Sequence, residues 1–94
     1  MAEATNITFA VVNATGSYRE AIVTAEATLN ETITLDDHKY AITEIISATA
    51  FANDQTTPVY PTYAIQNTQT YAGKQLIRKT AGTDVADVIR IVYR

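Results

Sequence analysis

Cysteine is absent from this 94-residue chain, and histidine occurs once, at His38. The first absence excludes disulfides and thiolate metal sites; the second excludes an imidazole-rich zinc centre. No cofactor is expected. No stretch approaches the ~20 apolar residues that a membrane-crossing helix needs. The start, Met1 to Thr5, is acidic and lacks a basic region followed by an apolar run, so no signal peptide is expected. Leucine is scarce, at Leu29, Leu35 and Leu76 only. Basic residues are few as well, 7 against 10 acidic ones, which makes nucleic acid an unfavoured partner.

Threonine, isoleucine and valine supply what leucine does not: 16, 10 and 7 residues, 33 of the 94. Such side chains lose rotamer freedom in helices and fit a pleated surface. The composition predicts a single all-β domain over residues 1–94. A chain this short buries only about 60–65% of its unfolded surface, so its stability margin is thin. With disulfides and metals excluded, tight packing or self-association must supply the support, and a homo-oligomer is expected. Asn-x-Thr sequons at Asn6, Asn13 and Asn30 are explained by the abundance of threonine.

Windows along the chain give about seven short strands, with turn signals at the spacing of an antiparallel β-sandwich or barrel. "NITFAVVN" (6–13) reads as a strand ended by the Asn13–Ser17 turn cluster. Residues 18–29 place Val23, Ala25, Ala27 and Leu29 on one face, Thr24, Glu26 and Thr28 on the other. Asn30-Glu31 offers a turn before the short "TITL". Residues 40–52 read as a strand, with a short helix as the alternative, because Ile42, Ile45, Ile46 and Thr49 also fall at helical spacing. Pro58 and Pro61 make the middle a loop or sheet edge, and Tyr60–Pro61 is a candidate cis bond. A short strand follows at Tyr63 to Asn67, and Gly73 and Gly82 bracket "KQLIRKT". The last ten residues alternate Ile89, Ile91 and Tyr93 with Val88, Arg90, Val92 and Arg94, a strand expected to pair within its own sheet.

Charge is spread unevenly. Residues 1–54 carry eight acidic and two basic side chains, net −6; residues 55–94 carry two acidic and five basic, net +3. Either two faces of opposite sign meet on neighbouring subunits, or the halves lie side by side and cancel locally.

Chemistry is hard to find. Asp36-Asp37-His38-Lys39 reads as a hairpin tip between "TITL" and "YAITEI": aspartate bonds its own backbone in turns, and His38 and Lys39 are easily solvated there. Metal binding would need three ligands at fixed geometry, whereas adjacent strand residues point apart. Ser17 and Ser47 lack an elbow-like glycine pattern, and "AGK" lacks the rest of a phosphate loop. No enzymatic activity is expected. Tyr60, Tyr63 and Tyr71 followed by Lys74, Arg78 and Lys79 could stack and neutralise a single strand, but such rings serve a protein contact better in an acidic chain. Tyr60, Pro61, Tyr63 and Tyr71 are therefore the expected contact surface, with Arg90 and Arg94 as charge partners.

"EATLNETITLDDHKYAITEIISATAF", a polar loop, a short strand and the closing "DVIRIVYR" together resemble small β-proteins of tailed bacteriophage particles, over roughly residues 25–94. In those a T-I-T-L strand, a polar turn and an I-x-x-I-x-x-A strand precede a valine-rich C-terminal strand. The resemblance implies a head decoration or cement protein: made in the host cytoplasm, placed on the outer capsid surface, and clamping the capsid protein lattice, often as a trimer. A phage tail component of the same class would carry the same pattern; the alternative reading is a small binding or adhesion module for carbohydrate or protein. The resemblance carries over no functional positions.

Overall fold

In the computed structural model the described residues are 3–14, 16–51, 61–71, 74–82 and 86–94, with side chains described for all of these except 67–71. They form seven strands and no helix: β1 (Thr5–Asn13), β2 (Arg19–Glu26), β3 (Thr32–Thr34), β4 (Ile45–Ala50), β5 (Thr62–Tyr71), β6 (Lys74–Ala81) and β7 (Ala86–Tyr93). Two antiparallel sheets result, one of four strands in the order β1-β2-β7-β4 and one of three in the order β3-β6-β5. The architecture is a sandwich and not a closed barrel. The candidate cis bond at Tyr60–Pro61 involves Tyr60, which lies outside the described residues.

Alternation decides which side chains meet between the sheets. In β2 and β7 the register pairs Ala21 with Ile91, Val23 with Ile89 and Ala25 with Asp87, all buried. Ile33 opposite Ile77 supplies the facing layer, and Leu35 continues it. Phe9 from β1 meets the Tyr93 ring edge-on, centroids 5.7 Å apart. Before β1, Glu3 bridges Thr32 and the Ala4 N–H donates to the Thr32 carbonyl at 2.8 Å, so the chain links the two sheets on that side.

A buried polar cluster ties the sheets together from within. Lys79 on β6 places Nζ 2.7 Å from Asp87 Oδ2 on β7 and donates to the Ala27 carbonyl at 2.9 Å. Tyr63 on β5 donates its hydroxyl to the same Asp87 oxygen at 2.6 Å. Lys79 and Asp87 have no exposed surface at all.

The strand expected within residues 40–52 is present over Ile45–Ala50, and the described residues 40–51 contain no helix. One expectation is corrected. The Asp36–Lys39 stretch is not a hairpin tip: β3 pairs with β6 and β4 with β7, so this bend carries the chain from one sheet to the other. A polar bend signals that a strand has ended; it does not say where the next strand pairs.

Candidate functional site

The inward phase of β3 at Ile33 continues beyond the strand's end through Leu35 to Asp37, so a carboxylate arrives at the end of the apolar layer. Asp37 is buried, and the Tyr93 hydroxyl donates to its Oδ2 at 2.6 Å. Arg19 Nη1 stands 3.7 Å from that oxygen, and the same guanidinium lies 3.4 Å over the ring of Tyr40, which is more than half exposed. Loss of water and the hydrogen bond to Asp37 push the Tyr93 hydroxyl far above its usual range.

Asp36 points the other way. Its Oδ2 accepts from Lys74 Nζ at 2.7 Å and its Oδ1 accepts from the His38 N–H at 2.9 Å, closing a turn on its own backbone. The Lys74 bond first and the His38 N–H second hold its carboxyl below the ordinary aspartate value. His38 sits at φ +58°, a left-handed conformation, and the Lys39 N–H donates to the Asp37 carbonyl at 2.6 Å.

The bend stands between two clefts. One, of about 350 Å³, is lined by Leu35, Asp37, Lys39, Tyr40, Lys74 and Gln75 among others; the second, of about 580 Å³, lies toward Val11 and Arg19. Asp37 Oδ1 and Gln75 Oε1 are buried beside the first cleft, and neither has a hydrogen-bond partner. Among the described residues no group of three or more potential ligating side chains could hold a metal ion.

Of the residues expected at a contact surface, the described side chains, Pro61, Tyr63, Arg90 and Arg94, are divided between interior and surface. Tyr60 lies outside the described residues, and Tyr71 ends β5 with its side chain likewise outside. Pro61 is buried. Tyr63, expected to face outward, belongs to the interior: it is 7% exposed and committed to Asp87, and burial with that bond drives its hydroxyl pKa far upward. Arg90 and Arg94 are exposed, and each already holds a glutamate of its own chain: Arg90 bonds Glu20 at 2.9 Å and Arg94 bonds Glu44 at 2.8 Å. Lys79, placed in a basic stripe by its sequence, is internal.

What the residue pattern did not single out is the outer face of the four-stranded sheet. Val88 and Phe51 are exposed neighbours there, the Phe51 N–H donating to the Val88 carbonyl at 2.9 Å. Ile46, the extra residue where the β4 register shifts, is exposed near the other end of the strand. The available signal was valine on the polar phase of "DVIRIVYR".

Against protein-family models, curated proteins and solved structures, the chain gives no match.

Proposed function

We propose that this chain is a structural virion protein of the capsid decoration type, which stabilises a phage head by bridging neighbouring capsid subunits and works by contact, without catalysis. The observation that carries the reading is the outer face of the four-stranded sheet, where Ile46, Phe51 and Val88 are 44%, 46% and 38% exposed. Around them the face bears small polar side chains, Thr24, Ser47 and Thr49, and the internally satisfied Arg90–Glu20 pair. Such a surface loses little on desolvation and packs well against a flat partner. The pattern resemblance over residues 25–94 supplies the kind of partner, a protein lattice on the outside of a capsid. Many copies on a lattice gain avidity, and binding stabilises each small domain by mass action. Under this reading the free protein self-associates, with the trimer as the favoured form.

Reconstitution tests it. Capsids stripped of the chain are mixed with purified protein and sedimented. Wild type is expected to run with the particles, and Val88→Lys to stay at the top while keeping its thermal stability. Wild type remaining at the top overturns the decoration reading, and equal binding by Val88→Lys overturns this assignment of the contact face.

A further inference from the structure

Strand β1, Thr5–Asn13, borders the four-stranded sheet, and among the described residues no strand pairs with its outer edge. A strand so placed directs about half of its backbone N–H and C=O groups away from the sheet, as a template for another strand. Folded chains protect such edges with lysine, proline or brevity. At the β3 edge of the other sheet the strand has three residues, and Glu3 bridges Thr32. β1 has nine residues, TNITFAVVN, with no charge and no proline; register shifts toward its two ends leave Thr8–Val11 regularly paired between them.

The side chains at this edge are incompletely covered as well. Val11 shares a rung with Ala21 and Ile91 on the inward phase; those two are fully buried, whereas Val11 is 40% exposed. Ile7 and Phe9, on the same phase, are only half-buried. Charge selects what covers them. Glu3 stands two residues before β1, and Arg19 and Lys39 line the cleft at its Val11 end. The acidic groups at that end, Asp37 and Glu20, are already held by Tyr93 and Arg90. Neither Glu3 nor Lys39 has an ion pair among the described residues. Antiparallel pairing with β1 of a second copy sets the acidic end of each strand beside the basic end of the other, and no charged side chain meets its own copy at the axis. We infer that two copies of this chain associate through β1, antiparallel about a two-fold axis near Phe9 and Ala10, joining their four-stranded sheets into one.

The contact itself does not depend on the decoration reading. Under that reading the two-fold axis turns the Val88 faces of both copies to one side of the joined sheet, so a dimer offers two contacts to a lattice. A two-fold contact closes with two copies, so it competes with the trimer that the resemblance implies, and the mass in solution separates the two.

Sedimentation equilibrium of the full chain from about 1 to 300 μM is expected to show a monomer–dimer equilibrium with a Kd on the order of 10 μM. Ala10→Lys sets like charges beside the axis and is expected to weaken the dimer about tenfold or more while the β-sheet circular dichroism is kept. Because the chain lacks cysteine, Ala10→Cys and Val88→Cys each carry a single thiol, which keeps the test usable should Ala10→Lys fold poorly. A short bis-maleimide is expected to join copies of Ala10→Cys and to leave Val88→Cys unjoined. The inference is overturned by a chain that stays monomeric throughout, by a trimer mass, by a dimer that Ala10→Lys leaves intact, or by cross-linking of Val88→Cys in preference to Ala10→Cys. A dimer that fails to bind capsids overturns the decoration reading alone.

Discussion

Asp37 and Asp87 are the two buried carboxylates of the described structure, and each accepts a tyrosine hydroxyl at 2.6 Å. They differ in the cation nearby. Lys79 touches Asp87 at 2.7 Å with neither side chain exposed, while Arg19 keeps 3.7 Å from Asp37 and part of its surface in water. Taking two charges out of water costs nearly as much as their attraction returns, but removing one of them strands the other. Lys79→Met is therefore expected to destabilise the chain by about 3–5 kcal/mol in urea unfolding, and adding Asp87→Leu to recover part of that loss. A double variant no more stable than Lys79→Met would show that the pair does more than compensate itself. The tyrosines make a separate prediction. Burial and the adjacent carboxylates raise both hydroxyl pKa values, so the folded state holds protons that the unfolded state releases at pH about 10. Their contribution to stability is complete below that pH and is lost as pH rises further. On alkaline titration part of the phenolate absorbance is expected to appear only together with unfolding, and Tyr63→Phe and Tyr93→Phe each to remove a share of it. Phenolate formation that is complete while the β-sheet circular dichroism persists would contradict these burials.

Strand β7 shows how far an element can be read from its residues. Its alternation is regular because one face is sealed by Ile89, Ile91 and Tyr93, and the strand lies between β2 and β4. β2 is legible for the same reason, and the all-β class follows from the content of threonine, isoleucine and valine alone. Long-range pairing was not legible. A bend of Asp, His and Lys looks the same whether the next strand folds back or crosses to the other sheet, and here it crosses. Lys79 was misplaced because the only justification for a buried ammonium is a partner, and Asp87 lies on the opposite sheet. The orphaned oxygens of Asp37 and Gln75 were invisible in the sequence for a related cause: orphaning is a property of neighbours, not of residue types. The connection out of β6 can be tested directly. Gly82 has φ +121°, and a Cβ there would stand 2.8 Å from Pro61 Cβ and 2.9 Å from Pro61 Cα. Gly82→Ala combines a disfavoured backbone with a clash against a ring that cannot swing aside, and is expected to cost about 2 kcal/mol by thermal unfolding. A loss within about 0.5 kcal/mol, the range of ordinary surface changes, would mean that Pro61 and Gly82 are free to separate.

For the molecule as a whole, the uneven charge of the two halves resolves inside one chain. Lys74 meets Asp36, Arg90 meets Glu20 and Arg94 meets Glu44, each pair joining the basic half to the acidic half. Exposed pairs of this kind contribute at most about 1 kcal/mol each to stability, so their effect is more on the surface than on the fold. They leave the outer face of the four-stranded sheet with its arginines already engaged and with Ile46, Phe51 and Val88 as its available groups. A contact made through that face is driven by removal of apolar area from water, which ions at moderate concentration do not screen. Capsid attachment is therefore expected to weaken less than about threefold between low salt and roughly 0.5 M sodium chloride, and to strengthen in sulfate, which is excluded from the surface. Attachment measured by co-sedimentation across that range decides between the two kinds of contact. A loss of tenfold or more would place the binding energy in Arg90, Arg94 and their neighbours, requiring their internal pairs to open on the capsid, and would remove the apolar face from the proposed function.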